Sequence, residues 1–197
     1  MKYFRLIAED ENYSNWFFFD ASKPRRQVRD LYQDFVCPSC NRVDEDKALS
    51  CGVSPDLRIS SRHDYLVTND WVYCVSVRLK NVLELYSIKG FEYLELPNTS
   101  SHLVVVSTIP VKVDIHSSGI KYEGPVCQLC KRYNWSGEGP FFQSLEVPDD
   151  VRTVFRPEIW NEHAYSRRCC LYCSELIADI LQGAEATGMI MKYVGEV

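Results

Sequence analysis

Two Cys-x-x-Cys hooks constrain this chain more than any other feature: Cys37-Pro-Ser-Cys40 and, ninety positions later, Cys127-Gln-Leu-Cys130. Each is entered from an apolar residue (Val36, Val126) and left through a polar, turn-like one (Asn41, Lys131). Two such hooks can place four thiolates at the corners of a tetrahedron, the arrangement a structural zinc ion takes. Cys37, Cys40, Cys127 and Cys130 are therefore the expected metal ligands and zinc the expected cofactor. Four protein ligands leave no position for water, so a site of this kind is structural and not catalytic. It would clip remote parts of the chain together.

Composition bears on the same point. Nine cysteines is an odd number; a leftover thiol suits a reducing compartment, where hooks favour metal over disulfides. Arg5 and Glu9 interrupt the apolar residues at the N-terminus, and no apolar run approaches the length of a membrane span. The expectation is a cytoplasmic protein without a membrane partner. The net charge of −5 counts against nonspecific nucleic-acid binding and would suit a basic partner. The 197 residues, 46% hydrophobic and 25% charged, fit one globular domain spanning 1–197.

Periodicity divides that domain in two. Residues 76–87 place Leu79, Val82, Leu83 and Tyr86 on one helical face, with Ser76 as N-cap and Gly90 as stop. Phe91 to Leu96 then alternates like a strand until Pro97. Ser174, Ile177, Ile180, Leu181 and Gly188 lie 98 positions after Ser76, Leu79, Val82, Leu83 and Gly90, and Met189 to Val194 takes the place of the strand. Hook, helix and strand thus recur in the same order, which reads as an internal duplication with halves of about 1–110 and 111–197. The fold class expected is α+β: two degenerate repeats around a mixed or antiparallel sheet, joined by a zinc-ribbon-like clip.

Elsewhere, residues 3–8 and 14–19 read as two mutually paired strands, 26–34 as a short helical turn, and Asp44-Glu45-Asp46 as a solvated loop. Residues 103–109, 111–115 and 141–147 read as further strands. Cys169, Cys170 and Cys173 precede the last helix, and a competing assignment lets Cys170 and Cys173 replace one hook. Cys51 and Cys74 read as core or free thiols. His63, His102, His116 and His163 lie far apart, without a metalloprotease or cysteine-nucleophile context, and phosphate loops and nucleophile elbows are missing from the sequence. The chain is expected not to be an enzyme. Trp135 and Trp160 are candidates for a partner-binding surface.

The order and rough spacing of Cys37-Pro-Ser-Cys40, Cys127-Gln-Leu-Cys130 and the Ser174–Tyr193 helix and strand resemble the bacterial double-CXXCG motif family, described mainly from myxobacteria. The glycine that follows each hook in that family is replaced here by Asn41 and Lys131. The run from Val75 to Lys80, with Lys89 to Tyr93, is similar to the endings of other immunity-protein families. The resemblance implies an immunity protein of a toxin system, which neutralises a cognate protein toxin by binding it in the cytoplasm. The alternative is a zinc-ribbon protein that binds nucleic acid or a transcription-associated partner.

Overall fold

The computed structural model describes residues 1–9, 16–20, 27–59, 61–70, 72–107, 109–123, 125–131, 134–136, 141–158 and 171–197. Its longer strands are β1 (Lys2–Ala8), β2 (Tyr65–Val67), β3 (Tyr73–Ser76), β4 (Phe91–Leu96), β5 (Thr99–Ser107), β6 (Leu171–Ser174) and β7 (Met189–Glu196). Its α-helices are α1 (Glu45–Ser50), α2 (Val77–Leu85) and α3 (Glu175–Gly183). The protein is mixed α+β with two larger antiparallel sheets, ordered β2-β3-β5-β4 and β6-β1-β7, and three two-stranded pairings among the described residues. No described helix is long and apolar enough to cross a membrane.

The strand pairing is long-range. β1, at the start of the chain, is hydrogen-bonded on both edges by strands from its end: Phe4 faces Cys173 on one side and Tyr193 on the other. β5 takes the same place between β3 and β4, where Val104 faces Cys74 and Leu94. The registers correspond residue for residue. Tyr3 faces Ser174 as His102 faces Ser76, and Leu6 faces Met191 as Val105 faces Tyr93.

The helices flanked by these strands start and stop in the same way. The Ser76 hydroxyl accepts the Leu79 amide at 3.0 Å, and the Ser174 hydroxyl accepts the Ile177 amide at 3.4 Å, so each serine takes a donor that the first turn leaves over. At the other end Ser87 (φ 55°) and Glu185 (φ 51°) turn left-handed. The amide of Ile88 then reaches the Leu83 carbonyl at 2.9 Å and that of Ala186 the Leu181 carbonyl at 3.0 Å, the six-to-one bond of a Schellman stop. Leu79, Leu83, Ile177, Ala178 and Leu181 are the buried faces. They share one core with Leu6, Tyr65, Val75, Val105 and Leu171 from both sheets.

The opposite faces of the sheets are covered by the hook-bearing segments. Leu66, Cys74 and Val104 pack under Phe17, Phe18, Tyr32, Val43 and Leu49, around the first hook. Tyr3, Phe155 and Tyr172 pack under Ile109, Ile120 and Phe142, from the segments that precede and follow the second hook in the chain. These covering layers are where sequence patterning misleads most. Residues 16–19 do not pair with β1, both of whose edges are occupied, and 14 and 15 lie outside the described residues. Phe17 and Phe18 instead present their amides, at 2.9 and 2.7 Å, to the buried Asp70 carboxylate, and only Phe19–Asp20 forms a strand pair, with Gln27–Val28. Burial pushes that carboxyl up, countered by these amides and the Thr68 hydroxyl. Residues 26–34 contain the expected turn, as a 3-10 helix over Asp30–Phe35.

The acidic run is no solvated loop. Asp44 accepts the Lys47 amide as the N-cap of α1, and Glu45 is fully buried. Of residues 111–115, Val111 pairs with Pro157 and Val113 makes an isolated bridge to Leu145. Residues 141–147 contain a 3-10 turn, Phe142–Ser144, because Phe142 must turn inward to reach Tyr3, 5.1 Å between ring centroids.

After each Schellman stop the chain passes a glycine jammed against backbone. A Cβ on Gly90 (φ 97°) would lie 2.0 Å from the Val154 carbonyl oxygen, and one on Gly188 (φ 80°) 2.4 Å from that of Tyr65. Backbone cannot yield as a side-chain tip can. Gly90→Ala and Gly188→Ala should each destabilise the fold by about 2–4 kcal/mol. Gly183→Ala, in open space within α3, should be neutral or stabilise by up to about 1 kcal/mol. Urea-unfolding midpoints of the three variants measure the contrast.

Candidate metal centre

The sulfurs of Cys37, Cys40, Cys127 and Cys130 all lie within 4.8 Å of one another and could hold a metal ion. Residues ninety apart come close: Cys37 Sγ is 3.8 Å from Cys127 Sγ, and Cys40 Sγ is 3.5 Å from Cys130 Sγ. No other group of three or more cysteine, histidine or acidic side chains among the described residues is placed to hold an ion.

Local backbone explains how each hook presents two sulfurs to one point. After Cys40 the chain must reverse, and Asn41 does so with φ 57°; Lys131 follows Cys130 with φ 59°. The Asn41 amide donates to the Cys37 carbonyl at 2.8 Å and the Lys131 amide to the Cys127 carbonyl at 2.8 Å. The two knuckles are thus built alike. Asparagine visits the left-handed region at modest cost, whereas lysine enters it against its Cβ, by roughly 1 kcal/mol. The first hook is further fixed by the Cys37 amide on the Arg42 carbonyl at 2.8 Å and by a bridge between Val36 and Val43.

These turns aim amides at sulfur. The backbone amides of Cys40 and Ser39 hold the Cys37 thiol below its usual pKa. Those of Cys130 and Leu129, with the Ser39 side chain, lower the Cys127 thiol to about 6. Cys40 goes the other way: burial, reinforced by the three neighbouring thiols, pushes it up to about 12. Four thiolates gathered at one point repel each other, so the last proton leaves only when a cation replaces it. Four soft sulfur donors, two of them ready to ionise, and a shell of amides suit a thiophilic cation.

The site lies near the surface. Cys37 is buried and the other three thiols are half-buried. One cleft of about 180 Å³ opens against Cys37 and Cys130, and another of about 480 Å³ against Cys40 and Cys127. Leu129 (61% exposed) and Val126 (41%) stand beside them.

The remaining candidates are dispersed. Cys173 is fully buried on β6, inside the shared core, and its thiol is pushed up to about 12 by that burial. It therefore does not replace a hook residue; Cys169, Cys170, Trp160 and His163 lie outside the described residues. Cys74 is fully buried and Cys51 exposed. His102 is a satisfied core histidine, with Nε2 2.8 Å from the His63 carbonyl and Nδ1 2.9 Å from the Ser101 hydroxyl. His116 lies in an exposed turn. Sequence spacing identifies the four sulfurs but gives no sign of Ser39, whose contact with Cys127 depends on how the hooks meet.

The left-handed residue after each hook provides a test. Lys131→Gly should leave metal affinity and stability equal or better, because glycine meets no Cβ clash at φ 59°. Lys131→Val places a β-branched side chain there and should cost about 1–2 kcal/mol, read as a fall of roughly five- to thirtyfold in metal affinity in a chelator competition. No protein-family model and no curated protein matches this chain.

Proposed function

We propose that the chain is an immunity protein that neutralises a cognate protein toxin by direct binding, held in shape by one structural zinc ion. The toxin role follows from the resemblance set out above, and one structural observation supports a binding role: the two similar sheets differ at their free edges. β4 carries the exposed Glu92 and Glu95 on its outer edge, the kind of charge that blunts an edge strand against pairing. β7, at the same place in the other sheet, carries Ile190 (50% exposed) and Tyr193 (51% exposed) at the corresponding positions. No described strand pairs with that edge. An eight-residue edge that exposes Ile190 and Tyr193, with Lys192 and Glu196 as its exposed charges, suits strand addition by a partner. The net charge of −5 would steer a basic toxin toward it.

Zinc is favoured by the sulfur spacing. With Zn–S bonds of about 2.3 Å, tetrahedral sulfurs stand about 3.8 Å apart; Cys37 and Cys127 are at 3.8 Å, Cys40 and Cys130 at 3.5 Å, and all four lie within 4.8 Å of one another. We also infer that the two halves arose by duplication. The corresponding strand registers, helix caps and left-handed stops support that reading. They move the junction from about 110 to the start of β5 near Thr99, since β5 occupies in one sheet the place that β1 occupies in the other. For the nucleic-acid alternative, Arg42, Lys47 and Lys131 lie near the hooks, but Lys47 is paired with Asp44 at 3.2 Å and the net charge is unfavourable.

Elemental analysis should find about one zinc per chain. Its removal by chelation should lower the melting temperature while leaving far-UV circular dichroism nearly unchanged, because the sheets are paired independently of the hooks; global unfolding would oppose this. For the partner, the product of the neighbouring gene is the bait. Binding should weaken at least tenfold, about 1.4 kcal/mol, in Ile190→Glu and Tyr193→Glu but not in Glu92→Gln. Retention of nucleic acid instead of protein would favour the alternative, and unchanged affinity in both edge variants would remove β7 as the contact.

A further inference from the structure

We propose that the four hook cysteines are also an oxidation site, at which hydrogen peroxide links the hooks to each other, Cys37 to Cys127 and Cys40 to Cys130, so that a covalent staple replaces the metal clip. The metal-clip reading enters only through the release of the ion; the sulfur pairing does not depend on it.

Three observations carry the inference. Two close sulfur approaches run between the hooks, 3.8 Å for Cys37 with Cys127 and 3.5 Å for Cys40 with Cys130. Closing them to a disulfide of about 2.05 Å needs each sulfur to move by less than about 1 Å. Such a movement leaves both knuckles intact. A bond inside one hook would instead strain a turn fixed by a 2.8 Å amide–carbonyl bond and a left-handed residue. Second, oxidant has a path to all four sulfurs, since one cleft opens on Cys37 and Cys130 and the other on Cys40 and Cys127. Third, Cys74 and Cys173 are fully buried, and a thiol that stays protonated and enclosed is a poor nucleophile.

The chemistry balances with peroxide as the oxidant. One thiolate attacks the peroxide O–O bond, giving a sulfenic acid and, after protonation, one water. The facing thiolate then attacks that sulfur, forming the S–S bond and releasing the second water. Each disulfide consumes one peroxide and two protons. Two disulfides consume all four thiolates, and a bound cation loses its ligands.

The consequence separates this site from a switch that opens. The linked hooks remain together, so the oxidised protein should no longer depend on metal. The test treats zinc-loaded and chelator-stripped protein with hydrogen peroxide. Peptide mapping without reductant should recover the Cys37–Cys40 peptide joined to the Cys127–Cys130 peptide, and free thiols should fall by four. Released zinc should rise in parallel in the loaded sample, and chelator should no longer lower the melting temperature. To resolve the partners, Cys37→Ser with Cys127→Ser should still link Cys40 to Cys130, at least tenfold faster than Cys37→Ser with Cys130→Ser links the remaining pair. Recovery of Cys37–Cys40 and Cys127–Cys130 as separate, unlinked peptides would overturn the proposal, as would oxidation of Cys51 before the hooks. A chain that links its hooks yet never binds zinc would uphold it while removing the metal reading.

Discussion

The structure depends on an exchange of central strands. β1 is held on both edges by β6 and β7, from the far end of the chain, and β5 is held by β3 and β4, which precede it. A middle strand satisfies its amides and carbonyls on two sides and buries both faces, so removing it would expose backbone as well as apolar surface. The first sheet therefore cannot form until Leu171–Ser174 and Met189–Glu196 have been made. Its mate is assembled from neighbouring segments, with far shorter loops to close.

That arrangement changes what the four sulfurs are for. If the two halves touched only at the hooks, an ion would be their sole connection. Instead they share a core in which Leu79 and Leu83 of α2 meet Ile177 and Leu181 of α3, and each glycine turn rests on backbone from the other half. The Asp64 carboxylate adds a polar link: it accepts the Thr187 amide at 3.0 Å and Thr187 hydroxyl at 2.9 Å, besides Ser76 and Arg78. Burial alone would raise its pKa, but these donors outweigh burial and hold the carboxyl well below the ordinary range. What the hooks join is the pair of covering layers on the outer sheet faces. Those layers contain α1, short strands, 3-10 turns and loops, fixed by local bonds such as Arg29 to the Phe17 carbonyl and Tyr32 to the Gly52 carbonyl.

The legible parts of the sequence were those governed by local rules. Ser76 and Ser174 as caps, Gly90 and Gly188 as stops, and the alternation of Phe91 to Leu96 all depend on neighbours within a few residues. Hook spacing is likewise a local signal. What could not be read depends on remote partners. Nothing near Phe17 and Phe18 indicates that Asp70 will take their amides, and nothing near β1 indicates that its neighbours lie some 170 and 190 positions away. Glu45 looks solvated in an acidic run because its burial depends on the layer folding over it. The same holds for residues 141–147, where a strand-like composition gives way to a turn that delivers Phe142 to Tyr3.

Two similar units in one chain also allow a comparison that a single domain does not. Where both keep the same chemistry, as at the serine caps and the left-handed stops, geometry demands it. Where they differ, the fold tolerates either choice, and the difference records other pressures. Asp64 at one turn has Thr153 at the corresponding place, and Arg78 has Leu176, so the link is built differently on the other side, where Lys89 pairs with Asp150 at 2.7 Å. The free edges differ more sharply, glutamates on β4 against isoleucine and tyrosine on β7. Folding alone would favour charge on both, because an unguarded edge invites unwanted pairing. On β7 the exposed charges are Lys192 and Glu196, set among Ile190 and Tyr193, so its edge is guarded less fully than that of β4.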